Sequence, residues 1–317
     1  KEQITDEKKL KINFIVENSK DENTEFLSNL INQSDEKNTG EVIEKIIDTS
    51  DNLVEGVVEN LSDKDNKFLT TSTSVGAGLI KEKIFETIVA KETDKSAAIL
   101  SKVMAKSDDA TVFSVINNIT EKNTNQNSKL SLKVMADFSE KNSEKLESLA
   151  QNSADQIQKL TVSAVEEAAS SQEDADLIGK IVSGASEEVI NKVITEVTKN
   201  STEEKQALSA KVMKTIVETN PDKMETLSDE NKENIITQTI EAAKNQSEGT
   251  STDDLDLTNT IAEIISNSNS GTTSKILEEL SNASQGTESK LTLEVVNNLT
   301  KQENYEEKME ILEVTNP

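Results

Sequence analysis

The chain contains 317 residues with a formal net charge of −26, since 60 Asp and Glu residues outnumber 34 basic residues, all of which are Lys. Cys, His, Trp and Arg are absent, which excludes thiolate and imidazole chemistry, Cys-based zinc sites and guanidinium clamps for phosphate, and so disfavours an enzyme. The acidic balance disfavours nucleic acid and anionic membranes as partners, no stretch reaches the roughly 18 apolar residues of a membrane span, and the start at Lys1 does not resemble a signal peptide.

The first part of the chain carries one helical segment and one possible ion-binding loop. The segment Glu55–Leu61 is the first copy of a phrase that returns later in the chain. Asp63-Lys64-Asp65-Asn66 spaces its oxygen ligands as a calcium loop does, but Phe68 and Ser74 occupy the sixth and twelfth positions, where such a loop needs Gly and Glu. We therefore interpret it as a polar loop between helices.

Gly76-Ala77-Gly78 follows a run of five Ser and Thr residues and precedes a helix predicted near Leu79. A glycine loop at the start of a helix can hold a phosphate group. No Gly-Lys-Ser/Thr follows this loop and no hydrophobic strand precedes it, so the phosphate-loop pattern is incomplete. We predict a plain turn between two helices.

Two helical phrases in the middle of the chain occur twice in one register, which indicates an internal repeat. The first pair is Ser131–Phe138 with Ser143–Leu149, and its later copy is Ser209–Ile216 with Pro221–Leu227. Lys133 then corresponds to Lys211, and Leu146 corresponds to Met224, so both phrases recur at the same offset. Each pair should lie on equivalent helices with equivalent burial.

The other half of the unit also recurs, and the first phrase returns near the C-terminus. These copies are Ile99–Val103 with Val115–Ile119, Leu177–Ile181 with Val193–Val197, Thr260–Ile264 with Ile276–Leu280, and Thr292–Leu299 with Lys308–Leu312. The unit is predicted to join a helical hairpin of about 31 residues to a longer one of about 47. Capping residues support helix starts at Ser186, Ser228 and Thr252, and Asn and Gly support stops at Asn200, 245–249 and 267–271.

The predicted fold class is all-α: an α-solenoid-like stack of short helical hairpins built from about four repeats of roughly 78 residues. Residues 1–317 are predicted to form a single continuous helical-repeat array with approximate units 1–92, 93–172, 173–252 and 253–317. Disorder is the first alternative, because the hydrophobic fraction is 33%, but the helical period argues against it. A β-solenoid is the second, because Val, Ile and Thr are abundant, but frequent Gly turns are missing.

Several residue types recur at fixed places in the copies. Lys opens four of them and Glu opens two, at Lys102, Lys133, Lys180, Lys211, Glu263 and Glu294. We interpret this position as solvated or snorkelling beside a core stripe, because a chemical role would not tolerate the change of sign. The methionines are predicted to fill the core: Met104, Met135, Met213, Met224 and Met309. The acidic runs 173–176 and 253–256 are interpreted as first-turn acids that complement the helix dipole.

The leading functional hypothesis is a non-enzymatic structural protein. We expect an acidic helical segment that acts as a spacer, stalk or self-assembling fibre unit of a longer repetitive protein, extracellular or at the cell surface. Its partners would be copies of itself or adjoining repeats, because Leu10–Val16 and Met309–Val314 show no polar cap. Their end-to-end association should respond to salt and divalent cations.

The alternative hypothesis is an intracellular, cytoplasmic α-solenoid scaffold that binds a peptide or protein partner. Such a surface usually presents an aromatic or Arg anchor in each repeat. Here Phe138 corresponds to Ile216 and Leu299, and after Phe138 the only aromatic residue is Tyr305. No catalytic residue, cofactor, metal ligand or specific small molecule is predicted from the sequence.

Overall fold

The computed structural model describes residues 14–16, 23–33, 36–64, 67–70, 75–91, 93–122, 129–247, 256–283, 289–302 and 306. Within these ranges the chain forms eighteen helices and no strand. The predicted all-α class is therefore confirmed, and the disordered and β-solenoid alternatives are wrong for the same residues.

The helices are 10 to 19 residues long, apart from two single-turn helices of four residues. In chain order they are α1 Thr24–Gln33, α2 Glu36–Thr49, α3 Asp51–Asp63, α4 Lys67–Thr70, α5 Val75–Val89, α6 Asp94–Lys106, α7 Asp109–Lys122, α8 Leu130–Lys141, α9 Ser143–Asn152, α10 Ala154–Glu167, α11 Gln172–Gly184, α12 Glu187–Thr198, α13 Glu203–Thr219, α14 Asp222–Glu225, α15 Asp229–Ser247, α16 Leu257–Asn267, α17 Ser270–Ala283 and α18 Ser289–Leu299.

Side-chain caps explain why several helices begin where they do. Thr93, Ser171 and Thr202 each accept a hydrogen bond from the backbone N–H three residues later, which satisfies one free donor of α6, α11 and α13. The predicted starts at Ser186 and Ser228 are confirmed, since these residues immediately precede α12 and α15. The predicted start at Thr252 lies outside the described residues.

Two predicted glycine turns are helical in the structure. Gly76-Ala77-Gly78 lies in the first turn of α5, so its interpretation as an inter-helix turn is wrong. The stop predicted at 267–271 is correct for α16, which ends at Asn267, but Gly271 belongs to α17. There the Asn269 side chain accepts a hydrogen bond from Thr272 N at 3.0 Å, which starts a new helix at once.

The chain divides into two compact units, residues 1–138 with 151–167 and residues 139–150 with 168–317. In the first unit, α1 packs against α3 and α3 against α6, while α2, α5, α7 and α10 pack in that order as a second layer. In the second unit, α11, α13, α16 and α18 pack in order, and α12, α15 and α17 form the other layer. Most of the apolar residues in each unit are buried.

The same Thr–Met contact occurs within each of the two central copies, at the sequence offset that also relates Lys133 to Lys211. Thr161 Oγ1 lies 3.8 Å from Met135 Sδ, and Thr239 Oγ1 lies 3.7 Å from Met213 Sδ. Lys133 and Lys211 lie on the equivalent helices α8 and α13, and Leu146 and Met224 are both buried, on α9 and α14. The register is thus confirmed at the Met135 and Met213 positions, whereas Lys133 is half-buried and Lys211 is buried. The number of repeats and the four unit boundaries stay predictions.

Candidate functional site

Charged side chains join neighbouring helices at one recurring position. Lys102 on α6 lies 2.7 Å from Asp63 at the end of α3. At the equivalent place in the second unit, Lys180 on α11 lies 3.5 Å from Glu140 near the end of α8. All four side chains are more than a third exposed, so each pair contributes little stability by itself.

Glu263 replaces this lysine in the next copy and takes its partner from a different position of the neighbouring helix, since Glu218, which aligns with Glu140, is also acidic. Lys214 of α13 binds the Glu263 carboxylate and lies 3.7 Å from Glu218. Burial acts to lower the pKa of Lys214, but its hydrogen bond to Glu263 and the nearby carboxylates outweigh this and raise the pKa. The side chain at the position of Lys102, Lys180 and Glu263 therefore joins neighbouring helices in each of these copies. This supports a structural role for the recurring charge.

The other two recurring lysines also contact residues of the compact unit to which they belong. Lys133 Nζ lies 2.6 Å from Asp94 Oδ1 at the start of α6. Lys211 donates to the backbone carbonyl of Ser170 and is only 7% exposed, so it is buried rather than solvated. Glu294, in the last copy, is half-buried on α18.

The acidic runs lie where helices begin. Glu173 and Asp174 occupy the first turn of α11, as predicted, and the fully buried Asp174 accepts a hydrogen bond from Ala169 N at 2.9 Å. Asp256 is the N-cap of α16, where its side chain accepts a hydrogen bond from Asn259 N at 3.0 Å. That hydrogen bond lowers the pKa of Asp256. Residues 65, 66 and 253–255 lie outside the described part of the chain.

The predicted core residues are buried. Met104, Met135 and Met213 are fully buried and Met224 almost so, which confirms their role as core fillers, whereas Met309 lies outside the described residues. Phe138 is buried like its equivalents Ile216 and Leu299, so this position provides no surface anchor for a partner.

A groove of about 500 Å³ lies in the second unit between the end of α8, α11 and α13. Its lining is Glu140, Asp176, Gly179, Lys180, Ser183, Gly184, Thr215 and Thr219. Asp176 Oδ1 accepts hydrogen bonds from Gln172 Nε2 at 2.8 Å and Thr215 Oγ1 at 3.3 Å. The ionic groups of the groove and the hydroxyl groups of Thr215 and Thr219 thus already have protein partners.

The two groove glycines let the helices approach closely. A Cβ at Gly179 would lie 2.4 Å from Thr215 Cγ2, and a Cβ at Gly184 would lie 2.1 Å from the backbone oxygen of Ser139. Sequence reasoning missed this groove because its lining comes from three helices. The two glycines within one predicted helix were the available signal, since such glycines usually mark a close packing contact.

A second polar cluster in the same unit joins α14, α15 and α17. The Glu225 carboxylate lies 3.1 Å from Nζ of the buried Lys232 and accepts a hydrogen bond from Thr272 Oγ1 at 3.0 Å. Burial acts to raise the pKa of Glu225, but hydrogen bonds from Asn269, Lys232 and Thr272 outweigh it and lower the pKa.

We expect Glu225→Gln to destabilise the protein at neutral pH by less than about 1 kcal/mol, because the carboxylate is partly exposed. A lowered folded-state pKa gives stability that is present above the unfolded-state pKa and is lost as the pH falls through the folded-state value. The difference between wild type and variant should therefore shrink under acidic conditions. Urea unfolding across this pH range measures it, and a difference independent of pH would contradict the assignment.

In the part of the chain that the structure describes, no group of three or more His, Cys, Asp or Glu residues is placed to hold a metal ion. None of the helices in the described ranges combines the length and the apolar character needed to cross a bilayer.

No protein-family model matches the chain, and no curated protein matches it in sequence. One solved structure to which the chain is similar is the crystal structure of an engineered protein, with 15% identity, coverage of 91% of this chain and 83% of that chain, and a TM-score of 0.37. A likeness at this level carries no argument about function.

Proposed function

We propose that this chain is a non-enzymatic structural segment, an acidic helical-repeat spacer or stalk within a longer repetitive protein outside the cell or at its surface. The proposal is supported by the contacts that recur in the repeat copies, because each of them joins one helix to another. The Thr–Met contact and the helix-joining ion pairs return from copy to copy, and all of them hold helices to one another. In a spacer, selection acts on stacking, so these contacts would be kept while surface residues vary.

The change of sign at the recurring ion pair supports the same proposal. A ligand site repeated along an array would keep the charge that the ligand needs. Here Lys102 and Lys180 give way to Glu263, which pairs with Lys214, one helical turn before the position that aligns with Asp63 and Glu140. The two helices thus remain joined by an ion pair, while the sign of the charge at the recurring position changes.

A binding scaffold is the second candidate, and the groove beside α11 is the observation that favours it. The groove residues Asp176, Lys180 and Glu140 already bond to protein partners. A partner would have to displace these bonds or bind to the hydroxyl groups between them, and either arrangement costs affinity. We therefore rank this function below the spacer.

Single-molecule force spectroscopy tests the spacer proposal. In a repeat array each unit contacts only its neighbours, so the chain should unfold in several steps under load. A step that releases one repeat of about 78 residues should lengthen the chain by roughly 260–280 Å, at 3.3–3.6 Å per residue. One event that releases the whole chain would indicate a single cooperative domain and would contradict a repeat spacer.

A further inference from the structure

Polar contacts between α3 and α6 show which side of each helix faces the other. Glu55 Oε1 on α3 accepts hydrogen bonds from Thr93 and Ser96 at the start of α6. Farther along the same two helices, Lys95 lies 3.2 Å from Glu59. With the pair between Lys102 and Asp63, these contacts form one stripe along α6 that faces the preceding helix.

Ile99 lies in the middle of that stripe and is 1% exposed. Its helix resembles α1, since Leu27-Ser28-Asn29-Leu30-Ile31 aligns with residues 100–104, Leu-Ser-Lys-Val-Met. Phe26 therefore occupies the position of Ile99. In α1 this large apolar side chain is 52% exposed. The side of α1 that carries Phe26 thus corresponds to the side of α6 that packs on α3.

Helix α18, the last of the described helices, also exposes a large apolar side chain. Leu293 on α18 aligns with Ala210 and Leu132, which are both fully buried, and with Glu55, which contacts the following helix. Leu293 itself is 68% exposed. The side of α18 that would face a following α6-like helix therefore presents an apolar side chain.

We propose that a second copy of this chain covers these two surfaces, with α18 of one molecule packing against α1 of the next as α3 packs against α6. The proposal rests on the spacer function and names its partner. Phe26 and Leu293 would come together in a head-to-tail contact that extends the junctions already present between α3 and α6 and between α13 and α16. Such a heterologous contact joins successive molecules head to tail, in a filament or in a closed ring.

Sedimentation of single variants and of their mixture tests this contact. Phe26→Lys and Leu293→Lys each place an unpaired charge in the contact, and each should lower the association constant about tenfold or more. Salt should strengthen wild-type association by screening repulsion between acidic surfaces. Glu166→Gln makes the same charge change at an exposed site on α10 and should leave association unchanged. Circular dichroism verifies that all variants remain folded.

The mixture is the decisive sample. Each variant alone lacks one side of every contact and should sediment as a monomer. In an equimolar mixture, Leu293 of one chain can meet Phe26 of the other, so the mixture should form dimers and stop there. A variant that still dimerises alone would show a different, symmetric contact, and a wild-type monomer at every salt concentration would show that the chain covers its own ends. Either result overturns this inference, while the force measurement on the interior repeats decides the spacer function separately.

Discussion

Gly184→Ala should destabilise the second unit by about 1–3 kcal/mol or more, the usual cost of an extra methyl group in a closely packed contact. The new Cβ would lie 2.1 Å from the backbone oxygen of Ser139 and 2.5 Å from its carbonyl carbon. No rotamer change relieves a clash with backbone, so the end of α8 or α11 has to move. This movement would also deform the groove that Gly184 lines.

Gly271→Ala is the matched control, because it makes the same chemical change in a helix of the same unit. A Cβ at Gly271 would lie 3.7 Å from Asn269 Oδ1 and from Glu225 Oε1, which are ordinary contacts. Alanine favours helix over glycine by about 1 kcal/mol in a helix interior and by less in the first turn, where Gly271 lies, so this variant should be neutral or slightly more stable. Gly179→Ala should fall between the two, since the obstructing Thr215 Cγ2 belongs to a side chain that can rotate.

Chemical unfolding of the three variants measures this order directly. The midpoint should fall for Gly184→Ala, fall less for Gly179→Ala, and stay or rise for Gly271→Ala. Equal midpoints for the substitutions at 184 and 271 would show that the end of α8 does not pack against Gly184 as described.

The period of apolar residues was enough to predict the helices and their register. Spacing of i and i+4 identifies a buried stripe, and the phrase that returns one period later places Met135 and Met213 in equivalent surroundings. Their contacts with Thr161 and Thr239 follow because a register fixed on one helix fixes which neighbour it meets.

Helix boundaries at glycine were harder to predict, because local capping competes with intrinsic propensity. Gly271 lowers helix propensity, yet Asn269 caps α17 two residues earlier and the helix includes the glycine. The sequence cue used for this stop, Asn followed by Gly, is the same whether the Asn ends one helix or begins the next.

The burial of Lys211 and the groove beside α11 depend on residues that are distant in sequence. Lys211 reaches the carbonyl of Ser170, 41 residues earlier. The groove combines Glu140, Asp176 and Thr215 from three helices. A single sequence shows which face of each helix is apolar, but it does not show the distance between neighbouring helices. This distance decides whether a lysine side chain is solvated or enclosed.

Deletion of residues 131–208 should leave a folded, helical protein, because it removes one whole period of the repeat and joins Leu130 to Ser209 in register. The buried positions of Leu132 and Met135 are then filled by Ala210 and Met213, which are themselves buried in α13. Arrays tolerate such a loss, since each repeat contacts only its neighbours. Circular dichroism should keep its helical signal per residue, and unfolding should remain cooperative.

Deletion of residues 134–209 is the out-of-register control, because its junction lies inside α8, where no loop can absorb two extra residues, and it should abolish cooperative unfolding. Keeping two more residues rotates the following helix by about 200°, at 3.6 residues per turn. Lys211 then occupies the position of Met135, and Lys214 occupies the position of Phe138, both of which are fully buried. Two unpaired ammonium groups in the core cost several kcal/mol, comparable with the whole stability of a domain. Equal helicity and equal midpoints for the two deletions would show that the register of the repeat does not determine how these helices pack.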